Sequence, residues 1–223
     1  MTALAFKIMN PFTTKDKRNL VTHSSPNSNV SEQFKTIRAN IQILIGDNRN
    51  QTLLFTSTKM REGNTTTVAN LAVAIAQQKE KVLLIDANLR QPRVHSIFNV
   101  PNTIGLSNVL TDNTSVEDAI LHSDISGLNI LTSGPKEDNP SEILGLRKMK
   151  DLLNLVRNSY DIVLIDSPSV LEAAETRVLA NRCDGVLLVV NQGKTVLDKA
   201  LEARKVLHFS NAKLMGVILN DGK

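Results

Sequence analysis

The sequence of 223 residues has one cysteine, no tryptophan and one tyrosine. A lone Cys183 excludes an internal disulfide framework, a cysteine-based metal cluster and a CxxC redox pair. We interpret it as a small structural residue next to a strand. Aromatic residues make up 3% of the chain and hydrophobic residues 41%. The core must therefore be aliphatic, which is typical of parallel sheets that are buried on both faces.

Long apolar runs are also missing. No stretch reaches the ~18 apolar residues that predict a membrane span, and the mildly apolar residues 1–12 lack a signal-peptide layout. The net charge is +4 and the sequence pI is about 9.2. Because the lysines and arginines are scattered, this charge indicates a solvated surface rather than a patch for nucleic acid. We expect a cytoplasmic protein with no nucleic-acid partner.

The length fits one α/β domain preceded by an arm. Residues 1–29 are polar and rich in Ser, Asn and Thr, and they include a basic cluster over residues 15–18. This composition predicts a flexible N-terminal arm, with the domain spanning residues 30–223. Ser31 is the predicted cap of the first helix. Apolar residues at helical spacing extend that helix to about residue 45; they are Phe34, Ile37, Ile41 and Ile45.

Strand and helix patterns alternate through the rest of the chain. The predicted strands are Thr52–Ser57, Lys81–Asp86, Leu128–Ser133, Asp161–Asp166, Gly185–Val190 and Lys213–Leu219. The predicted helices are Thr66–Gln78, Thr114–Leu121, Pro140–Arg157, Glu172–Asn181 and Thr195–Phe209. The alternation predicts a P-loop three-layer sandwich, with a mostly parallel central sheet and helices on both faces. Ligand chemistry in such a sheet lies beyond the carboxyl ends of the strands.

One loop lies where a phosphate-binding loop belongs, between the strand that ends at Ser57 and the helix that follows. The usual pattern is GxxxxGK[ST], in which backbone N–H groups cradle phosphates, the lysine reaches the β/γ oxygens and the hydroxyl holds Mg²⁺. Here the frame runs from Thr58 through Gly63 and Asn64 to Thr65. The second glycine and the hydroxyl are present, and Asn64 replaces the lysine.

Two further hydrophobic strands end in an aspartate, Asp86 and Asp166. Four hydrophobic residues followed by Asp describe a Walker B strand, whose carboxylate organises Mg²⁺ and its water. Many parallel strands end in Asp only to cap the next helix, so one such strand says little. Two of them, together with a loop that leads into Gly63 and Thr65, indicate a P-loop protein.

More extended motifs resemble one family. They are Glu32-xx-Lys35-xx-Arg38, Glu62-Gly63-x-Thr65-Thr66, Asp86-Ala-Asn88-Leu-Arg90-x-Pro92, Leu131-Thr-Ser-Gly-Pro135 and Asp166-Ser-Pro168. Over residues 30–220 the chain resembles the cytoplasmic catalytic domain of the bacterial protein-tyrosine kinases of capsule and exopolysaccharide synthesis. These kinases belong to the same broad group as the chromosome-partitioning and cell-division-site ATPases.

The resemblance implies roles for particular residues. ATP or ADP with Mg²⁺ is the implied cofactor, and the implied nucleotide-binding residues are Glu62, Gly63, Asn64, Thr65 and Thr66. Mg²⁺ would be held by Thr65, Asp86 and Asp166, and the catalytic positions are Asp86, Asp166 and the degenerate Asn88. A helix motif that joins subunits into a ring in this family corresponds to Glu32, Lys35 and Arg38. The implied partner is a membrane-embedded adaptor of the polysaccharide export system, which would place the protein at the inner face of the membrane.

The departures from the family pattern all concern the reaction. Family members read Pro-Gly-Glu-Gly-Lys in the loop, and this chain has Arg61 for the first glycine and Asn64 for the lysine. Asn88 replaces the second acid of Asp-x-Asp. The family's tyrosine-rich tail has no counterpart, and the only tyrosine, Tyr160, is expected to pack at the entry of a strand. These changes favour low or no kinase activity.

Three functions remain open from the sequence. The first is a kinase-like regulator of polysaccharide synthesis with weakened or lost phosphoryl transfer, which we favour. The second is an active ATP-dependent tyrosine kinase, since backbone N–H groups can still hold a nucleotide and Lys59 stands where the partitioning ATPases carry a second lysine. The third is a partitioning-type ATPase, against which the motif Leu131-Thr-Ser-Gly-Pro135 argues.

Overall fold

The computed structural model describes residues 4–9, 20–46, 50–112 and 114–221. Its strands are β1 (Leu4–Met9), β2 (Gln51–Ser57), β3 (Val82–Asp86), β4 (Ile120–His122), β5 (Leu128–Leu131), β6 (Ile162–Asp166), β7 (Gly185–Asn191) and β8 (Leu214–Asp221). Its helices are α1 (Val21–Ser24), α2 (Asn29–Ile45), α3 (Asn64–Ala76), α4 (Val94–Phe98), α5 (Leu106–Thr111), α6 (Val116–Ala119), α7 (Pro140–Gly145), α8 (Arg147–Arg157), α9 (Ala174–Arg182) and α10 (Leu197–Phe209).

All eight strands of the described ranges join one sheet in the order β1-β8-β7-β2-β6-β3-β5-β4. Every neighbouring pair is parallel except β4–β5, in which Ile120 lies opposite Leu131 in an antiparallel arrangement. The mostly parallel sheet predicted from the sequence is confirmed. The antiparallel edge strand was not predicted, because three residues that directly follow a helix give too short a pattern.

Two hydrophobic cores lie on opposite faces of the sheet. Leu53 and Phe55 of β2 belong to the core beneath α2 and α3. Leu54, between them, belongs to the core beneath α8, α9 and α10. Neighbouring side chains of a strand point to opposite faces, so a strand with a core on each face reads as an unbroken apolar run. This confirms the three-layer arrangement.

The N-terminal segment differs from the flexible arm expected over residues 1–29. The strand β1 pairs in parallel with β8, from Leu4 opposite Gly216 to Met9 opposite Asp221. The buried Thr22 of α1 donates its hydroxyl to the side chain of Asn70 in α3. Strand pairing of residues 4–9 and the docking of Thr22 hold these described parts against the domain, which polarity alone did not indicate. The basic cluster at 15–18 lies outside the described residues.

The predicted cap of the first helix was wrong by one turn. The helix α2 begins at Asn29, and Ser28 is its N-cap, with its hydroxyl accepting from the backbone N–H of Ser31. The Ser31 hydroxyl instead donates to the carbonyl of Ser25 at 2.7 Å. A further difference is a break at Leu146 in the helix predicted over 140–157. Its backbone is extended there, which separates α7 from α8.

None of the helices within the described ranges is both long enough and apolar enough to cross a lipid bilayer.

Candidate nucleotide-binding site

The predicted site residues meet at the carboxyl ends of three neighbouring strands. In the parallel ladder between β3 and β6, Asp86 lies directly opposite Asp166. The loop between β2 and α3 closes over them and borders a cavity of about 450 Å³. Its lining includes Gly63, Asn64, Thr65, Thr66 and Asn88. The placement at the carboxyl edge of a parallel sheet follows the usual rule for α/β proteins.

The side chain of Asn64 is turned inward and bonded to the strand ends. Its Nδ2 donates to Oδ1 of Asp166 at 2.7 Å, to the carbonyl of Phe55 at 3.0 Å and to the carbonyl of Ser167 at 3.0 Å. Only 8% of the residue is exposed. A neutral amide in this position connects the loop to the Walker B strand and brings no positive charge to the cavity.

Internal contacts fix the shape of the phosphate loop. The carboxylate of Glu62 accepts from the backbone N–H and hydroxyl of Thr58, from the N–H of Lys59 and from the hydroxyl of Thr195. The Nδ2 of Asn220, at the end of β8, donates to the Glu62 carbonyl at 2.9 Å. Glu62 is 2% exposed. Its carboxylate therefore shapes the loop, and its contact with a nucleotide stays a prediction.

Gly63 offers a test of how tightly this loop is held. Its φ is +88°, and a Cβ there would lie 2.2 Å from Nδ2 of Asn220. We expect Gly63→Ala to lower the free energy of unfolding by about 1–2 kcal/mol for backbone strain and by about 1 kcal/mol more for the displaced Asn220 hydrogen bond. Gly193→Ala is the matched control, since φ is +81° but nothing lies within 4 Å. Equal losses in urea denaturation would show that the Asn220 contact does not matter.

The two buried aspartates differ in their hydrogen-bond partners, and the pKa of each is raised. Asp86 accepts three backbone N–H groups, from Asn88 at 3.1 Å, Arg93 at 3.1 Å and Val94 at 3.0 Å. Burial nevertheless raises its pKa to about 6, because those hydrogen bonds offset only part of the desolvation. Burial, followed by the neighbouring charge of Asp86, raises the pKa of Asp166 well above its usual range. Two adjacent buried carboxylates cannot both ionise without cost.

The residues present fit a magnesium ion beside Asp166. Its Oδ2 is buried and has no hydrogen-bond partner among the described residues, and the Thr65 side chain lies near enough to the same carboxylate to offset part of the rise in its pKa. A hydroxyl and a free carboxylate oxygen are hard oxygen ligands of the kind Mg²⁺ prefers. In the described ranges no three His, Cys, Asp or Glu side chains cluster as a metal site. Water and phosphate oxygens would therefore complete the coordination.

Asn88 and Asp86 contribute mainly to the loop after β3. The Oδ1 of Asn88 accepts from the N–H of Gln91 at 3.1 Å. Asp86 bonds the N–H groups at the start of α4. The amide oxygen of Asn88 and the carboxylate of Asp86 thus hold this turn in place. Their predicted catalytic roles stay predictions.

Three arginines line the cavity, and one of them is strained. Arg61 has φ +65°, so the loop does need the left-handed conformation at the position where the family pattern has a glycine. Arg90 is paired with the buried Glu175, Nε to Oε1 at 2.6 Å. Arg93 follows on the same loop as Arg90. Lys59 is exposed and is not among the described residues that line the cavity.

The predicted subunit-contact residues on α2 have internal partners. Lys35 pairs with Glu32 at 2.7 Å, and Arg38 donates to the carbonyl of Ala74 in α3 at 2.6 Å. These contacts explain part of the motif within one chain. A ring contact through the exposed Glu32 stays a prediction.

Other residues singled out from the sequence have structural roles. The Tyr160 hydroxyl accepts from Nδ2 of Asn129 at 2.8 Å, next to the start of β6, where packing was expected. Burial, followed by the nearby charge of Asp184, raises the pKa of the Cys183 thiol to about 12. A thiol with such a pKa carries almost no thiolate at neutral pH, which fits the small structural role expected from the sequence.

Sequence reasoning missed Thr195, Asn220 and Glu172. Thr195 and Asn220 hold Glu62 from positions 133 and 158 residues away, and no local pattern announces such contacts. Glu172 accepts from the backbone N–H of Met60 at 3.0 Å. Its position soon after Asp166-Ser-Pro168 was the one available signal, because residues after a Walker B strand border the same cavity.

Comparisons with known proteins agree with this geometry. A family model described as an AAA domain matches residues 50–200. The chain is 42% identical to the tyrosine-protein kinase YwqD of Bacillus subtilis (strain 168) over 93% of its own length and 87% of that protein. The chain belongs to the bacterial tyrosine-protein kinase family. Another relative, the tyrosine-protein kinase CpsD of Streptococcus agalactiae serotype III (strain NEM316), is 33% identical over 85% of this chain and 81% of that protein.

Two solved structures superpose on most of this chain. The chimerical protein CapA2B2 superposes with a TM-score of 0.90 at 34% identity, covering 99% of this chain and 95% of that one. The cell division ATPase MinD of Pyrococcus furiosus superposes with a TM-score of 0.67 at 26% identity, covering 77% of this chain and 72% of that one. The resemblance to the tyrosine kinases and to the broader ATPase group is confirmed. Family membership implies the use of a nucleotide and Mg²⁺.

Proposed function

We propose that this chain is a kinase-like regulator of capsular or extracellular polysaccharide synthesis whose phosphoryl transfer is weakened or lost. The inward hydrogen bonds of Asn64 carry the proposal. Three acceptors occupy its Nδ2, and an amide cannot supply the cation that stabilises charge on the transferred phosphoryl group. The fold and the loop are retained while the charge is lost.

The remaining site residues support binding better than catalysis. Thr65 and Asp166 would hold Mg²⁺, which when bound neutralises phosphate charge and orients the phosphates. Asn88 stands where the family motif has a second acid, and an amide accepts a hydrogen bond but takes no proton. The carboxylate oxygens of Asp86 accept hydrogen bonds from three backbone N–H groups. The chain's own groups therefore position a nucleotide without activating an acceptor hydroxyl.

The polysaccharide context and the partner come from the family. CapA2B2 is by its name a chimera, and it superposes over nearly the whole chain. We propose that a membrane adaptor of the export system binds this protein at the inner face of the membrane, and that Glu32, Lys35 and Arg38 contribute to a homo- or hetero-oligomer. The lower TM-score of the MinD structure supports the kinase-type role over a partitioning ATPase.

A phosphoryl-transfer assay tests the proposal. Purified protein with Mg²⁺·ATP and a tyrosine-containing peptide should transfer phosphate no faster than its Asp166→Ala variant, because the phosphate-facing cation is missing in both. The measurement is incorporation of radiolabelled phosphate, with and without the adaptor's cytoplasmic tail. A rate that depends on Asp166 would establish an active kinase instead.

A further inference from the structure

The charges around the cavity are unevenly neutralised. Arg90 is tied to Glu175 through two hydrogen bonds. The Glu62 and Glu172 carboxylates already accept bonds from the loop. Arg61 and Arg93 line the cavity, and neither guanidinium forms a hydrogen bond or salt bridge within the described ranges, although the charge of Arg93 offsets part of the rise in the pKa of Asp166. Two guanidinium groups therefore border the cavity with all their donors available.

The position of Arg61 has no packing explanation. Its backbone lies in the left-handed region at φ +65°, which disfavours a residue with a Cβ. The residue is exposed, so no buried contact compensates for the strain. A long cation at such a position is explained if its head group binds something in the cavity.

We propose that Arg61, together with Arg93 from the loop after β3, supplies the phosphate-binding charge that Asn64 does not. The ligand is the diphosphate portion of ADP or ATP, and the inference rests on the proposed function in using the same cavity. A guanidinium group presents a planar fork of donors that matches phosphate oxygens two at a time. The positive charge that binds phosphate then lies at Arg61, three residues before the position of the family's lysine, which is Asn64 here.

This arrangement has a distinctive consequence for metal dependence. Asn64 bonds one oxygen of Asp166, and Asp86 is occupied by backbone N–H groups. The two arginines contact the phosphates directly and need no ion between them. The protein therefore keeps measurable affinity for ADP in EDTA, to which Mg²⁺ held by Thr65 and Asp166 adds, and inorganic pyrophosphate competes for the same place.

The test is calorimetry of the whole protein with ADP and with inorganic pyrophosphate, in Mg²⁺ and in EDTA. Arg61→Ala should weaken both ligands about 10-fold or more, the loss expected for a charge-assisted hydrogen bond. Lys59→Ala is the matched control, because it removes an exposed cation from the same loop outside the cavity lining. It should change affinity by less than about twofold. Arg93→Ala should resemble Arg61→Ala.

A further variant separates lost binding from damage to the fold. Arg61→Gly relieves the left-handed backbone and should raise the Tm of the free protein by about 1–3 °C, while it loses the same affinity as Arg61→Ala. A more stable variant that binds less cannot be explained by unfolding. Equal affinities for Arg61→Ala and Lys59→Ala, or no binding of either ligand by the wild type, would overturn the inference. Neither result bears on the proposed function, which the phosphoryl-transfer rate decides.

Discussion

Replacing Asn64 with lysine should raise the affinity for Mg²⁺·ATP by about 10- to 100-fold, since a hydrogen bond to a charged group is worth roughly 1.5–3 kcal/mol. The substitution frees the three acceptors that now hold the amide inward and brings an ammonium group to the loop. Isothermal calorimetry with Mg²⁺·ATP measures the change. The gain should be smaller for ADP, which lacks the γ-phosphate that the lysine would reach.

Asn64→Gln is the control for this experiment. It keeps the amide and lengthens the side chain by one methylene, so it disturbs the inward hydrogen bonds without adding charge. We expect no gain in affinity from it. If glutamine improves binding as much as lysine does, release of the loop rather than the missing cation limits nucleotide binding, and our account of Asn64 is wrong.

Replacing Asp166 with asparagine should stabilise the free protein at pH 8 by about 0.5–2 kcal/mol, in the range of single stabilising substitutions. The carboxyl is buried beside Asp86, and its folded-state pKa is raised well above the ordinary value of 3.8. Such a group favours folding fully below pH 3.8, where it is protonated in both states. That contribution is lost as the pH rises towards the folded-state pKa.

The pH dependence distinguishes this effect from general repacking. For Asp86 the same loss of stability spans about pH 3.8 to 6. The advantage of Asp166→Asn should grow with pH and disappear near pH 4, as measured by urea denaturation across that range. The control is Asp184→Asn, because Asp184 is also an acid next to a strand but is paired with Arg157. That variant should lose stability at pH 8. If Asp166→Asn loses stability there as well, the cost of ionising a buried carboxyl beside Asp86 does not limit the stability of the site.

The sequence predicted the sheet well because strands buried on both faces are unbroken apolar runs, which are visible in the sequence. Residues 82–86 are apolar up to their final Asp, and both faces of the strand are covered. The sequence predicted short elements poorly. A serine can cap a helix at either of two nearby positions, and the choice of Ser28 over Ser31 depends on where Ser25 places its carbonyl.

The candidate site shows the same division. The spacing of Gly63, Asp86 and Asp166 along the chain is sufficient to identify the loop and the strand ends. The direction of the Asn64 side chain could not be predicted, since its partners belong to β2, β6 and the loop after β6. The sequence alone allowed only the prediction that Arg61 is strained if the loop needs a positive φ at this position. Residue type restricts backbone angles without fixing them, so the positive φ itself could not be predicted.

The helix α3 connects the phosphate loop to the position at which Arg38 contacts the domain. Its 13 residues span about 20 Å. The amino end begins at Asn64 in the phosphate loop, and near the carboxyl end the Ala74 carbonyl accepts from Arg38. A partner that binds Arg38 and a phosphate group bound at the loop would therefore contact opposite ends of the same helix, α3. Any coupling between a ligand in the cavity and a partner at Arg38 would be reciprocal, each changing the affinity for the other by an equal factor.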